Sequence, residues 1–265
     1  MRIYPAIDIR GGKAVRLYKG DFAQETVFGE PAEMAKKWEA AGGEFLHLVD
    51  LDGARAGKSM NLDVVKEIIA AVNIPVELGG GIRTMENIDE VLAAGVQRVI
   101  LGSVAAKNPA LVKEACAKYG DRVVVGIDAK DGIVAVDGWE VSGDVEVTVL
   151  AKEMAKAGVK TIIYTDISRD GTLEGVNVEA TAQLARESGI KIVASGGVKS
   201  IDDVKALLPY EKEGIEGVIV GKSIYMGTLD LTEAVTLFSE LAFAAQELEQ
   251  YFLFFASQGG NIIFL

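Results

Sequence analysis

The chain of 265 residues has one cysteine and one histidine. A lone Cys116 cannot form a disulfide within the chain, which fits a reducing compartment. It falls in a helical pattern and reads as a small buried residue, not a nucleophile. A lone His47 excludes a metal site built from several histidines and argues against a histidine-based triad. Acid–base chemistry then falls to carboxylates. Basic residues are also short: 27 Lys and Arg stand against 39 Asp and Glu, a formal net charge of −12. A nucleic-acid binder would carry a basic footprint, so no nucleic-acid partner is expected. The negative charge reads as a solubilising surface. No apolar run is long enough to span a membrane. Met1-Arg2-Ile3 leads straight into an apolar run, so no secretory leader is expected and the expected location is the cytoplasm.

What is present is ordinary globular composition, 49% hydrophobic and 25% charged, with 30 glycines. Short β-branched runs alternate with amphipathic helical stretches. Strands are predicted near Ile3–Asp8, Phe45–Asp50, Val76–Leu78, Arg98–Leu101, Val123–Ile127, Thr161–Thr165, Lys191–Ala194 and Gly217–Val220. Helices are predicted near Pro31–Ala41, Met60–Val72, Met85–Ala94, Pro109–Tyr119, Val147–Ala157, Val178–Ser188, Ile201–Leu208 and Leu231–Gln250. Pro31 and Pro109 stand at helix starts; Gly42, Gly95, Gly158 and Gly189 stand at helix ends. Eight β/α units, with strands apolar on both faces, predict an α/β fold, the TIM (β/α)8 barrel. No Gly/Pro/Ser-rich linker divides the chain.

An internal repeat supports two half-barrels. Ile3 to Arg10 reads I-Y-P-A-I-D-I-R before Gly11-Gly12, and Val123 to Lys130 reads V-V-V-G-I-D-A-K before Asp131-Gly132. Leu48-Val49-Asp50-Leu51 is echoed by Tyr164-Thr165-Asp166-Ile167. The stretch from Pro75 to Arg83, with Gly80-Gly81, is echoed by Lys191 to Lys199, with Gly196-Gly197. Gly102-Ser103 and Gly221-Lys222 follow the next strand of each half.

Each half therefore supplies a glycine pair and a strand-ending glycine at the same barrel mouth. Glycine lets successive backbone N–H groups approach an anion, and a helix N-terminus adds partial positive charge. Gly80, Gly81, Gly102, Ser103 and Gly196, Gly197, Gly221, Lys222 are the expected phosphate-binding residues. Arg83 is a further substrate contact. Two such sites half a barrel apart predict a substrate with a phosphate at each end.

Asp8 and Asp128 end strands that oppose one another in an eight-stranded barrel. A carboxylate beside a core must be paired, hydrogen-bonded or used. One acid can take a proton from carbon while the other gives one to a ring oxygen. Asp170, after strand six, is an alternative acid or substrate-orienting group, as is Thr165 at the end of that strand. Asp50 and Asp166 read as structural or orienting. Trp139, in the loop after strand five, can stack on a flat heterocycle or serve as a packed lid anchor. The long segment from Gly11 to Glu30 is expected to be a mobile lid.

I-Y-P-A-I-D-I-R-G-G-K-A-V-R-L-Y-K-G-D-F resembles the opening of the histidine-biosynthesis isomerases that act on phosphoribosylformimino-aminoimidazole carboxamide ribotide. E-L-G-G-G-I-R, Y-T-D-I-S-R-D-G-T-L-E-G, V-A-S-G-G-V and V-I-V-G-K-S resemble their later motifs. The resemblance covers about residues 1–240. It implies an Amadori rearrangement of an aminoaldose to an aminoketose, with no metal and no organic cofactor. It implies that Asp8 removes the C2′ proton and that Asp128, ahead of Asp170, is the donor. The expected partner is a small bis-phosphate substrate, and the chain is expected to be a monomer. Residues 241–265 depart from the pattern as a C-terminal extension with no assigned role. The alternatives are the sister cyclase of imidazole glycerol phosphate synthase, which needs a glutaminase partner, an isomerase serving tryptophan synthesis as well, and a non-catalytic phosphosugar-binding barrel. The Pro-Ala-Ile-Asp of the first strand favours the isomerase over the cyclase.

Overall fold

A computed structural model describes residues 1–136 and 139–240. Within them lie twelve strands: β1 (Arg2–Arg10), β2 (Lys13–Tyr18), β3 (Asp21–Gly29), β4 (Leu46–Asp50), β5 (Val76–Gly79), β6 (Arg98–Leu101), β7 (Val123–Lys130), β8 (Ile133–Val136), β9 (Glu140–Glu146), β10 (Thr161–Asp166), β11 (Lys191–Ser195) and β12 (Ile215–Val220). Eight of them, β1-β4-β5-β6-β7-β10-β11-β12, pair in parallel, and β12 closes back onto β1. These eight are the strands predicted from the sequence, and the fold is the TIM (β/α)8 barrel.

Strand period two sorts the side chains. On β1, Ile3, Ile7 and Ile9 are buried in the large cluster that joins strands to helices. Tyr4 and Ala6 alternate with them and join Phe45, Ile100, Val124, Ile163, Val193 and Ile219 in a second, smaller cluster. That cluster plugs the barrel interior. The next residue in the inward register of β1 is Asp8, and of β7, Asp128; both line the cavity at the mouth. A buried apolar plug thus places each strand-ending acid at the edge of solvent.

The segment from Gly11 to Glu30, expected as a mobile lid, holds the antiparallel strands β2 and β3. β1 turns at Gly11 and Gly12, both at positive φ (54° and 77°), and β2 pairs antiparallel with β1. Two left-handed residues match the twist of a two-residue hairpin, which selects glycine there. The second half repeats the device. β7 turns at Asp131 and Gly132 (φ 51° and 78°), and β8 runs back along it. Asp8 faces Val15 in the first hairpin and Asp128 faces Ala135 in the second.

The helices follow the predicted order, with the short helices Leu51–Ala56, Ser103–Lys107 and Lys222–Met226 added among the described residues. The helix expected over Met60–Val72 spans Leu62–Ala71. Asp50 caps the Leu51–Ala56 helix through Gly53 N, and Gly57 at φ 75° ends it. The last helix runs through residues 231–240, and the remainder expected to Gln250 lies outside the described residues, as does the extension 241–265. Cys116 is half-buried, not buried, because its helix turns it to the rim of the core. Burial nevertheless pushes its thiol pKa up, away from nucleophilic use.

Candidate active site

A cavity of about 560 Å³ opens at the C-terminal ends of the barrel strands. Its wall holds all the residues singled out from the sequence: Asp8, Asp128, Thr165 and Asp170, Arg83 and Trp139, and the glycine-rich ends Gly80, Gly81, Gly102, Ser103, Gly196, Gly197, Gly221 and Lys222.

Asp8 is held by Arg16, whose Nη1 donates to Oδ2 at 2.7 Å. The two side chains are 17% and 15% exposed, so this pair is largely shielded from water. Arg16 reaches from β2 across the hairpin, lies 5.8 Å over the Tyr225 ring, and packs flat against Gly221. Any Cβ at Gly221 would collide with its guanidinium. Arg16 is thus wedged between the acid of β1 and the strand-ending glycine of β12.

Asp128 accepts from the Trp139 indole Nε1 at 2.9 Å and is hydrogen-bonded by the Thr165 side chain, its register neighbour on β10. Burial raises its pKa, and these bonds and the nearby His47 oppose the rise. Trp139 sits at φ 75°, with its ring over Gly20 in the turn between β2 and β3. Asp137 and Gly138, beside it in the same loop, lie outside the described residues. Trp139 and Gly20 therefore meet at the wall of the cavity.

Asp170 differs from both. Burial pushes its pKa to about 6; Arg16 and Lys222 pull it down, while Asp8 and Asp128 push it up. Among the described residues no hydrogen bond is made to its carboxyl, so it lacks the donors that stabilise an ionised Asp128. Three carboxyl groups share one mouth, and the least hydrogen-bonded keeps its proton most readily.

The glycines divide into two kinds. Gly80, Gly81, Gly196 and Gly197 all have φ between 80° and 102°. Their Cα atoms press against backbone: Gly80 on Asp50, Gly81 on Gly53, Gly196 on Asp166 and Gly197 on Gly175. Glycine is required there by the neighbouring loop, whatever binds above. Gly102 has open space where a Cβ would go and stands one residue before the helix Ser103–Lys107. Gly221 holds the equivalent place before Lys222–Met226. Lys222 donates Nζ to Gly171 O at 2.6 Å and lies 5.1 Å over Tyr18, bracing the loop that carries Asp170. Arg83 is exposed and donates Nη2 to Ala54 O at 2.9 Å.

Asp50 and Asp166 do not act at the mouth. Asp50 accepts from Gly53 N, Ser59 Oγ, Met60 N and both nitrogens of Asn61. Asp166 accepts from Ser168 N and Oγ and from Asn177 Nδ2. Asn61 and Asn177 occupy matching places in the two halves, so the structural aspartates repeat with their partners.

Sequence reasoning missed Arg16 and His47. The signal for Arg16 was the Gly11-Gly12 turn: reading a two-residue hairpin there sets Val15 opposite Asp8 and Arg16 beside it. His47 lies on β4 at the cavity floor, 9% exposed, with Nδ1 2.8 Å from Glu77 Oε1.

Fold and mouth together define a class: a parallel (β/α)8 barrel whose mouth gathers three carboxyl groups, Asp8, Asp128 and Asp170, in one cavity. The family described as Histidine biosynthesis protein matches residues 2–230, and the chain belongs to that family. It is similar to proteins named 1-(5-phosphoribosyl)-5-((5-phosphoribosylamino)methylideneamino)imidazole-4-carboxamide isomerase. To that of Heliobacterium modesticaldum it is 51% identical over 241 residues, covering 91% of this chain and 98% of the relative. To that of Acetivibrio thermocellus it is 50% identical over 236 residues, covering 89% and 98%. To that of Rhizorhabdus wittichii it is 52% identical over 234 residues, covering 88% and 96%. Among the described residues, no helix is long and apolar enough to cross a membrane.

Proposed function

We propose that this chain is an isomerase of histidine biosynthesis, converting a bis-phosphorylated imidazole carboxamide ribotide from aminoaldose to aminoketose. The observation that carries the reading is the pairing of an arginine-held carboxylate, Asp8, with a carboxyl of pKa about 6, Asp170, in one cavity. An Amadori rearrangement needs such a pair. An acid delivers a proton to the ribose ring oxygen as the C1′–O bond opens, leaving an iminium at C1′. A base then removes the C2′ proton, and the C2′–H electrons form the enolamine that tautomerises to the ketose. Asp8 is the base. The sequence ranks Asp128 before Asp170 as the acid; we prefer Asp170, because the Trp139 and Thr165 hydrogen bonds oppose the burial-driven rise at Asp128. Asp128 then orients the sugar and balances the iminium charge.

The phosphates sit at the two strand-ending glycines, on the backbone N–H groups of Gly102-Ser103 and Gly221-Lys222, with Arg83 at the first rim. Gly80-Gly81 and Gly196-Gly197 shape the adjoining loops. Backbone groups suit this chain, whose net charge of −12 offers no broad basic surface. The same charge argues against a nucleic-acid partner, the single cysteine fits the reducing cytoplasm, and the chain is taken to act as a monomer.

The test is purified protein with the aminoaldose ribotide, then with the ketose form plus ammonia. Isomerised product in the first and no reaction in the second is expected. Consumption of the ketose with ammonia would assign the chain to the sister cyclase. Asp8→Asn should retain bis-phosphate binding while turnover falls by roughly 10²–10⁴-fold, the usual worth of a positioned base. Unchanged turnover would remove Asp8 from the mechanism, and binding without any turnover in the native chain would leave a phosphosugar-binding barrel.

A further inference from the structure

Beneath the cavity floor lies a layer of charge that the mechanism above does not use. Strand register places His47 on β4 beside Glu77 on β5, and Glu77 beside Arg98 on β6. All three share the inward face of the barrel. Glu77 is fully buried and accepts from Arg98 Nε at 3.0 Å and Nη2 at 2.6 Å. Its other oxygen, Oε1, meets His47 Nδ1 at 2.8 Å. Arg98 continues to Glu216 on β12 at 3.5 Å, and its guanidinium lies over the rings of Phe45 and Tyr4.

The protonation of this layer follows from its geometry. Burial would push the Glu77 carboxyl up, but hydrogen bonds and charge from His47 and Arg98 outweigh it and hold Glu77 below its ordinary value. An ionised carboxylate only accepts. The proton between Glu77 and His47 must therefore belong to Nδ1, and the nitrogen left for the cavity is Nε2. His47 lines that cavity, within electrostatic reach of Asp128. A barrel that needed only packing here would be served by an apolar residue, since a buried ion pair is weak evidence for stability.

We propose that Glu77, clamped by Arg98, is a positioning residue: it fixes His47 with Nδ1–H turned inward and so presents Nε2 at the cavity floor. The groups that face His47 are Glu77 from β5 and Asp128 from β7. Arg98 stands behind Glu77, and Asp8 and Asp170 lie across the cavity. The charge of His47 opposes the burial-driven rise of the Asp128 pKa, which favours Asp170 as the member of the set that holds the proton. Only this last consequence rests on the proposed roles of the acids.

The chain has a single histidine, so its imidazole signals need no assignment. The experiment is nitrogen-15 NMR of histidine-labelled full-length protein across pH 5 to 9. Nδ1 should stay protonated throughout, with Nε2 the nitrogen that gains and loses a proton. A bare Nδ1 with protonated Nε2 at high pH would overturn the proposal. Glu77→Gln, whose amide can either accept or donate, should lose that lock, populate the Nε2–H form at high pH and shift the pH profile of kcat with little change in KM. A tautomer unchanged in that variant would also overturn the proposal. If the variant does not fold, the wild-type tautomer still decides. The tautomer is read without turnover, so a failed isomerase assay and a failed positioning role are told apart.

Discussion

Arg16 Nη1 lies 2.7 Å from Asp8 Oδ2, and the same guanidinium rests against the Cα of Gly221. The proposed base of β1 and the proposed phosphate-binding end of β12 are thereby joined through one side chain. Gly221→Ala should displace Arg16, because the new methyl would occupy its position. Asp8 would lose its donor, and a misplacement of about 1 Å at such a group can cost 10²-fold in rate. Steady-state kinetics should report a fall in kcat of about that size, with the thermal midpoint nearly unchanged. A change confined to KM would mean that Gly221 serves the phosphate alone.

The anion cradle is best tested at Gly102. Bulky substitution at Gly81 or Gly197 would force side chains into the left-handed region and onto the Gly53 or Gly175 carbonyl, so the loop would fail before the phosphate site could be read. Gly102 has free space on its Cβ side and lines the cavity. Gly102→Ala should raise KM about tenfold, a loss of about 1.4 kcal/mol, and leave kcat within a factor of about three. Unaltered KM would remove this strand end from phosphate binding.

The eight strands and the acids at the ends of β1 and β7 were legible because each is a local pattern: an apolar run, a single carboxylate, then turn residues. The repeat made the paired glycines legible too, but not their cause. Gly80 and Gly81 are needed where one loop presses on the backbone of another, and closeness between loops leaves no local mark. Arg16 was hidden for a related reason. It reaches Asp8 only after the chain doubles back, so its role depends on hairpin register. The His47–Glu77–Arg98 layer requires the register of three strands at once.

Asp50 separates structure from chemistry. Its carboxylate accepts five hydrogen bonds and is fully buried. Asp50→Ala would orphan the backbone N–H groups of Gly53, Met60 and Asn61. Each unsatisfied buried donor costs about 1–3 kcal/mol, so denaturant unfolding should report a loss of roughly 3 kcal/mol or more. Asp166→Ala should behave alike, since Asn177 repeats the part of Asn61. If either variant kept full stability and lost only activity, that aspartate would belong to the mechanism instead.

Asp170 links stability to pH with a definite sign. Its folded pKa, about 6, stands above the ordinary aspartate value of 3.8. Between those two values the folded chain holds a proton that the unfolded chain has released. Folding is therefore favoured at low pH by this group, and the contribution is lost as pH rises through about 6. Asp170→Asn is neutral at every pH and avoids the cost of a buried charge. It should melt higher than the native chain at pH 8 and at about the same temperature at pH 4, while turnover falls by roughly 10²-fold or more through loss of the acid. In the native chain kcat/KM should decline above about pH 6, and that limb should be missing from the residual activity of Asp170→Asn. If the limb survives there and disappears in Asp128→Asn, the ring-opening proton comes from Asp128.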